Sequence, residues 1–240
     1  MSDDTHAEAV QERFARTAAR MIERERARRE TLREELRQFI PFAGNERVLD
    51  SGAGTGALAL ALAPLVGRVI ALDIVEELLA HGRQAADGVD NVSFVKGDAA
   101  ALPFERDAFD LAACHRTLHH VARPELVVSE MSRVTRLGGR VLVIDQIAPV
   151  DPLAAIELDR FERARDPSHT RLLSDIDVRS LLEANGLVLR ASRTEQESRD
   201  LDGYLDLAGC EGDERQTAAS VAPPQMVATI GWYLAAKPMP

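Results

Sequence analysis

A glycine-rich turn between a short apolar run and a helical pattern constrains the fold of this chain more than any other feature. The segment reads Val48-Leu-Asp-Ser-Gly-Ala-Gly-Thr-Gly56, and apolar residues at helical spacing start at Ala57. Glycine allows a positive φ and lets a ligand approach the backbone closely, and the helix that follows directs its free N–H groups at that ligand. The spacing also fits a dinucleotide-binding turn, so it predicts a nucleotide-like ligand without identifying it.

Short apolar runs alternate with helical stretches along the chain. Strands are predicted at residues 47–50, 68–73, 92–96, 109–114, 139–146, 187–192 and 226–235. Helices are predicted at residues 6–39, 57–65, 75–86, 124–136, 151–166 and 174–185, with a short amphipathic piece at 201–210. Such alternation is typical of βαβ units, and strands that are apolar throughout indicate a mainly parallel sheet covered on both faces. The polar segment 209–224, which ends in two prolines, is expected to be a loop.

Composition narrows the class of protein. A length of 240 residues corresponds to one domain, or to one domain with a small elaboration. The net charge of −10 argues against a nucleic-acid partner, because phosphate binding needs clustered cations. There is neither a transmembrane-length apolar run nor a secretory pattern, so we expect a cytoplasmic protein without membrane insertion. The 2 cysteines lie far apart in sequence, which excludes a disulfide framework and a four-cysteine zinc site.

Aspartates follow the first three predicted strands. Asp50 ends the first strand, Asp73 ends the second, and Asp98 follows the third. Ligands of open α/β sheets bind outside the carboxyl ends of the strands, and an acid about 20 residues after the glycine turn accepts hydrogen bonds from ribose hydroxyls. We therefore expect Asp73 at a ribose, Asp98 at an adenine amine and Asp50 at an ammonium group, which together describe one adenosyl ligand with a cationic tail.

These segments resemble, in order, the motifs of the class I S-adenosylmethionine-dependent methyltransferases. The glycine turn looks like their first motif, Val69-Ile-Ala-Leu-Asp73 looks like the strand with the ribose-binding acid, and Gly97-Asp-Ala-Ala-Ala-Leu-Pro-Phe104 looks like the adenine-pocket loop. Arg133-Val-Thr-Arg-Leu-Gly-Gly-Arg-Val-Leu142 looks like the turn into their fifth strand. The resemblance implies an α/β, Rossmann-like sheet of seven strands with helices on both faces and an antiparallel last strand at 226–235.

The resemblance also implies a cofactor and a set of residues that bind it. The cofactor is S-adenosyl-L-methionine, with S-adenosyl-L-homocysteine as product. The residues expected to bind it are Asp50, Gly52, Gly54, Gly56, Asp73, Ile74, Asp98, Ala99 and His115.

Two further segments are similar to bacterial relatives of the ubiquinone/menaquinone-biosynthesis methyltransferases. They are Cys114-His-Arg-Thr-Leu-His-His-Val121 and Arg165-Asp-Pro-Ser-His-Thr-Arg171. The substrates of that subgroup differ, so this likeness does not name the acceptor.

Histidines in these two segments are the candidate general bases. His115, His119 and His120 lie just beyond the fourth strand, and His169 lies in the second segment. An unperturbed imidazole titrates near ~6.5, so His115, His120 or His169 is able to take a proton from an acceptor. The other interpretation of the adjacent histidines is that they orient the loop by hydrogen bonds. No histidine or cysteine spacing supports a metal site.

Arginines provide a candidate anion site. Arg116, Arg165 and Arg171 are able to hold an anionic or phenolate acceptor, although each also suits a structural ion pair. The charge run at 24–29 is interpreted as a solvated helix face.

The sequence predicts that the chain is divided into two parts. Residues 1–43 form an N-terminal helical lid or extension, with Phe14, Ala18 and Met21 over the cofactor. Residues 44–240 form the Rossmann-like domain, with acceptor-side insertions at about 147–185 and 193–225. Apolar residues of these insertions predict a small, partly apolar acceptor: Leu153, Ile156, Phe161, Leu172, Leu173, Tyr204 and Leu205. Either a monomer or a homodimer is compatible with the sequence.

Three other functions share parts of the pattern. A nicotinamide-dependent dehydrogenase fits the glycine turn, but the 2 tyrosines build no Tyr-x-x-x-Lys pair with Lys96 or Lys237. A nucleic-acid methyltransferase is disfavoured by the charge. A cofactor-binding enzyme that does not methylate, such as a cyclase, stays open because a fold does not fix a function.

Overall fold

The computed structural model describes residues 3–239. In the first helix, the side chains described before Arg24 are those of Val10, Gln11, Arg13, Phe14 and Thr17. The strands between residues 3 and 239 are β1 Arg47–Ser51, β2 Arg68–Asp73, β3 Val92–Lys96, β4 Phe109–His115, β5 Thr135–Ile147, β6 Val188–Ser198 and β7 Val227–Ala236. The helices over the same residues are α1 Asp3–Phe39, α2 Ala57–Leu62, α3 Glu76–Ala85, α4 Pro124–Val134, α5 Pro152–Arg165, α6 Asp175–Ala184, α7 Leu201–Ala208 and α8 Gly212–Ser220, with 3-10 turns at Ala63–Leu65 and Leu118–His120.

All of these strands join one sheet in the order β3-β2-β1-β4-β5-β7-β6. Strands β1 to β5 pair in parallel, and β7 runs antiparallel to β5 and to β6. The predicted seven-stranded sheet with an antiparallel last strand is confirmed. The strand order reverses beside β1, and ligands of such sheets bind at the carboxyl ends of the strands near this point.

Hydrophobic cores cover both faces of the sheet. Val48 and Leu49 of β1 are fully buried on opposite faces, because successive side chains of a strand alternate. Leu49 packs in the core that includes α4 and α6 side chains, and Val48 packs with those of α2. Both faces of the sheet are therefore shielded from solvent, which explains why the strands are apolar throughout.

Helix α1 runs through the predicted span of 6–39 and joins the α2 side of the sheet near its end. Leu36 and Ile40 are buried there, and the ring centroids of Phe39 and Trp232 lie 5.5 Å apart. The helix stops before Pro41, whose ring cannot continue it. No helix between residues 3 and 239 combines the length and the apolarity that crossing a membrane requires.

The expectation of a loop over 209–224 is wrong. Residues Gly212–Ser220 form α8, and the fully buried Ala218 packs in a small core with Phe161 and Tyr204. The segment has almost no apolar stripe, so tertiary packing of small side chains, rather than local pattern, makes it helical. Strand β6 is also longer than predicted, and residues 193–198 belong to the sheet instead of to an insertion.

Candidate active site

The glycine turn closes over the carboxyl end of β1. The N–H groups of Gly52 and Ala53 donate to the carbonyl of Leu72 on β2, at 2.8 and 2.9 Å. A side chain at Gly52 would overlap Thr117, whose Cγ2 lies 2.2 Å from the position of an added Cβ. Over Gly54 the space is open instead, because an added Cβ would meet only Leu78 at 4.0 Å. The backbone of the turn is therefore bare at Gly54.

Asp73, at the end of β2, is held against this bare backbone. Its Oδ2 accepts a hydrogen bond from the Gly54 N–H at 2.7 Å, and its Oδ1 accepts one from the Val75 N–H at 2.9 Å. Burial raises the pKa of Asp73, although these N–H donors oppose the shift. A carboxylate has about four acceptor positions, and backbone N–H groups of Gly54, Ile74 and Val75 act on Asp73, so it keeps acceptor capacity for a ligand hydroxyl.

A cavity of about 560 Å³ opens beside these residues. Of the predicted cofactor contacts, the structure brings seven to its wall: Gly52, Gly54, Asp73, Ile74, Asp98, Ala99 and His115. Asp98 is exposed there, and its Oδ1 accepts a hydrogen bond from the Ala100 N–H at 2.8 Å. The carboxyl ends of β2 and β3 therefore present their acids to one space.

Asp50 and Gly56 are not among the residues that line this cavity, and their contact with the ligand stays a prediction. Asp50 is fully buried, and its Oδ2 accepts a hydrogen bond from the Ala59 N–H of α2 at 3.0 Å. Burial raises the pKa of Asp50 to about 8, which disfavours the ionised carboxylate at this position. Gly56 faces Phe94, where an added Cβ would lie 2.9 Å from the ring.

The adjacent histidines are arranged in two different ways. His119 Nδ1 lies 2.5 Å from Oδ1 of the buried Asp145. His120 Nδ1 lies 2.9 Å from Ser168 Oγ, and that hydroxyl donates to Asp166 Oδ1 at 2.5 Å. With the Ser168 hydroxyl donating to Asp166, the His120 tautomer that satisfies Ser168 Oγ carries its proton on Nδ1. His119 and His120 both line the cavity.

The other two candidate bases differ in position. His115 lines the cavity, and burial together with the Arg116 charge lowers its pKa to about 3, so its ring is neutral at neutral pH. His169 is not part of the cavity wall, and its role as a base stays a prediction. Its Nε2 lies 2.9 Å from Asp159 Oδ1, on α5. The turn that carries it packs on the histidine loop through Thr170, whose N–H and hydroxyl both donate to the His119 carbonyl at 2.9 Å.

Arginines converge on one carboxylate at the end of β6. Glu197 accepts from Arg24 at 3.0 Å, from Arg116 at 2.5 Å and from Arg199 at 3.4 Å, and it also pairs with Arg28. These cations hold the pKa of the Glu197 carboxyl well below its usual range, even though burial alone would raise it. Arg116 has a φ of +55°, an unusual conformation for a non-glycine residue, which marks a candidate functional position.

The three arginines that the sequence nominated have different surroundings. Arg116 and Arg165 line the cavity, whereas Arg171 is exposed and outside the wall. Arg165 is buried and donates to Glu162 at 2.8 Å.

Helix α1 covers the cavity along much of its length. The Phe14 ring meets the His120 ring edge-on, with centroids 4.9 Å apart, and Arg13 pairs with Asp166 at 2.6 Å. The side chains of Ala18 and Met21 lie outside the described residues. The charge run at 24–29 is not simply a solvated face, because Arg24, Glu25 and Arg28 line the cavity. Alternating charge carries no signal of which face a helix buries, so the sequence did not identify these contacts.

The apolar residues predicted at the acceptor rim mostly lie elsewhere. Of that set, Tyr204 lines the cavity, while Leu153 and Ile156 are exposed on the surface of α5 and the others pack in buried cores. Among the described residues, no group of three or more histidine, cysteine or acidic side chains is placed to hold a metal ion.

Comparison with known proteins gives the family. Residues 49–143 match the family described as Methyltransferase domain. The chain is 34% identical over 172 residues to the uncharacterised methyltransferase YcgJ of Bacillus subtilis, covering 71% of this chain and 68% of that protein. It is 33% identical over 204 residues to demethylmenaquinone methyltransferase of Clavibacter sepedonicus, covering 84% and 81%. The chain belongs to the S-adenosylmethionine-dependent methyltransferases.

Solved structures place the methyltransferase among known folds. The crystal structure of the YcgJ protein superposes with a TM-score of 0.76 and 27% identity, covering 87% of this chain and 98% of that one. The [4+2]-cyclase SpnF superposes with a TM-score of 0.69 at 20% identity, covering 88% and 81%, which shows a shared fold alone.

The cavity of this methyltransferase fits the cofactor of its family. Asp73 has acceptor capacity beside the bare backbone of Gly54, which suits a ribose lying on the turn. Its volume of about 560 Å³ lies within the range of small-molecule sites.

Proposed function

We propose that this methyltransferase transfers the methyl group of S-adenosyl-L-methionine to a small, partly apolar acceptor. The observation that carries the proposal is that Asp73, Asp98 and the bare backbone of Gly54 border one cavity. In this assignment Asp73 receives the ribose hydroxyls and Asp98 receives the adenine amine. The remaining cofactor contacts from the chain are Gly52, Ile74, Ala99 and His115.

The apolar side chains of the wall provide the surroundings for the acceptor. When bound, S-adenosylmethionine supplies a methyl group that its sulfonium has already activated, so the protein chiefly aligns the partners. Apolar surroundings favour a transition state in which positive charge is being lost. The apolar side chains of the wall that surround the acceptor in this proposal are Val10, Phe14, Val121, Leu126, Tyr204, Leu207 and Trp232.

His120 is the general base in this proposal. Ser168 holds its Nδ1 and Asp166 holds Ser168, so these two residues orient the ring that takes a proton from a hydroxyl or acidic carbon. The Asp166 carboxylate stabilises the imidazolium that forms, through the Ser168 hydroxyl. Burial and the neighbouring His119 lower the pKa of His120 well below its usual value, which keeps the ring neutral and ready to accept a proton at neutral pH.

Helix α1 acts as a lid in this proposal. Phe14 contacts His120, and Arg13 contacts Asp166, so the same helix covers the cavity and supports the base. Such a cover excludes water from the reacting atoms. A Phe14→Ala variant whose turnover and S-adenosylhomocysteine affinity both equal those of the parent would remove the lid role.

Titration calorimetry tests the function. We expect S-adenosylmethionine and S-adenosylhomocysteine to bind and the nicotinamide dinucleotides not to bind. Demethylmenaquinone, for which the Clavibacter relative is named, is the first acceptor to assay in its reduced form. Binding of the adenosyl ligands without transfer to any acceptor in a broad screen would favour the non-methylating alternative, and absence of binding would refute the proposal.

A further inference from the structure

Glu25 of α1 contacts the glycine turn at Thr55, next to the residue that Asp73 contacts. The Thr55 hydroxyl donates to Glu25 Oε2, and Asp73 accepts from the N–H of Gly54, the preceding residue of the turn. Two carboxylates thus flank consecutive residues of one turn, and both line the same cavity. A ligand that places its ribose on Asp73 and continues along the turn brings its other end to Glu25.

Glu25 differs from the other carboxylates of the cavity wall. Among the described residues, neither a cationic side chain nor an N–H group makes a direct contact with it. Thr55, which is buried, supplies a neutral hydroxyl instead. The other carboxylates each have an N–H or arginine partner: Glu35, Asp73, Asp98, Asp166 and Glu195. Glu25 is therefore the cavity acid that has no direct N–H or arginine contact among the described residues.

Asp50, which the sequence nominated for a cation, is fully buried beneath the turn and is not part of the cavity wall. A cationic group beside Thr55 consequently has Glu25 as its carboxylate. We propose that Glu25, held by Thr55, binds the ammonium group at the amino-acid end of the methyl donor, an inference that rests on the proposed function. Such a charge-assisted hydrogen bond is stronger than one to a neutral group.

The ionisation of Glu25 supports this assignment. Burial raises its pKa to about 7, against the opposing effects of the Thr55 hydrogen bond and of Arg24, Arg29 and Arg116. Asp50, from β1, also faces it. An ammonium group beside Glu25 favours the ionised carboxylate, so binding near pH 6.5 releases a proton from a carboxyl that is partly protonated in the free protein.

The experiment compares two ligands that differ at the proposed contact. S-adenosylhomocysteine carries the amino-acid end, and 5′-methylthioadenosine lacks it. Calorimetry on the full chain is expected to show that Glu25→Gln weakens S-adenosylhomocysteine about 10- to 100-fold while leaving 5′-methylthioadenosine unchanged. Glu35→Gln is the matched control, because Glu35 lies on the same helix and lines the same cavity, and it should change neither affinity.

A second measurement counts protons. At pH 6.5, S-adenosylhomocysteine titrated in two buffers of different ionisation enthalpy should show proton release with the parent protein and none with Glu25→Gln, and 5′-methylthioadenosine should show none with either. Glu25→Ala gives an independent check. If part of this variant is unfolded, the apparent affinities for S-adenosylhomocysteine and 5′-methylthioadenosine fall by the same factor, so their ratio still reports the Glu25 contact.

The outcomes distinguish failure of the ammonium assignment from failure of the proposed function. A Glu25→Gln variant that weakens both ligands equally, or neither, overturns the ammonium assignment and makes Glu25 a residue that positions α1. Failure of the parent protein to bind either adenosyl ligand overturns the proposed function itself.

Discussion

The Nδ1 atom of His120 lies 2.9 Å from the Oγ of Ser168, which connects a side chain of the cavity wall to a buried carboxylate. The Ser168 hydroxyl donates to Asp166, so both residues orient the imidazole of His120. In the proposed function, a serine from a distant part of the chain therefore positions the general base.

This arrangement predicts different losses for two variants. His120→Ala should lower turnover by about 10²- to 10⁴-fold if the acceptor must lose a proton. Ser168→Ala should lower turnover less, because the base remains but its tautomer and the support from Asp166 are lost. Both should keep the parent affinity for S-adenosylhomocysteine, measured by calorimetry. Equal turnover of His120→Ala and the parent would rule out the base.

The pH dependence follows from the lowered pKa of His120. Because burial and His119 keep the ring neutral, the parent rate should not fall between pH 8 and pH 6 through protonation of this base. A Ser168→Ala variant loses one partner of the ring and should show an altered pH profile. An inflection of the parent rate near pH 6.5 would instead indicate a solvated histidine.

Asp73 should dominate recognition of the ribose. Asp73→Ala is expected to weaken S-adenosylhomocysteine by about 1–3 kcal/mol, because hydrogen bonds to a carboxylate are lost. The exposed Asp90, outside the cavity wall, supplies the control, and Asp90→Ala should bind as the parent does. Thermal melts measure how far the fold is destabilised when the Gly54 and Val75 N–H groups lose their acceptor. A Kd for Asp73→Ala equal to that of the parent would contradict the ribose assignment.

Glycine at position 52 should stabilise the fold for two separable reasons, its positive φ and its close approach to Thr117. Gly88→Ala costs only the strain of a φ of +76°, about 1–2 kcal/mol, because nothing lies within 4 Å of the added Cβ. Gly52→Ala has a similar φ of +73° and also overlaps Thr117, so it should be less stable than Gly88→Ala by about 1–3 kcal/mol. Denaturant unfolding of both variants measures the difference. Equal losses would mean that Thr117 moves aside freely.

Glu197 should stabilise the fold in a pH-dependent way. Replacing it with glutamine leaves Arg24, Arg28, Arg116 and Arg199 without their common carboxylate, and we expect a loss of about 1–3 kcal/mol at pH 7. The pKa of Glu197 is lowered in the folded state, so its contribution is fully present above its unfolded pKa, about 4.3, and is lost as the pH falls below that value. Unfolding free energies of parent and Glu197→Gln should therefore differ at pH 7, and the difference should shrink steadily as the pH falls below about 4. A difference independent of pH would point to packing instead of charge.

The sequence by itself determined the features that depend on neighbours in the chain. The alternation of apolar runs predicted all the strands of the sheet, and the glycines of the turn, Asp73 and Asp98 could be located because each directly follows a strand. A carboxyl end of a parallel strand lies at the same sheet edge in every such fold, so position in sequence was enough to place these groups together.

Only the tertiary structure decided which side chains face the cavity. Asp50 also ends a strand, but its side chain lies beneath the turn against α2, so it is buried and its pKa is raised. Glu25 lies in a run of alternating charge whose orientation is set by how α1 docks across the sheet edge. His169 is near the right loop and yet pairs with Asp159. The direction of a side chain depends on contacts between segments distant in sequence, and local pattern carries no information about those contacts.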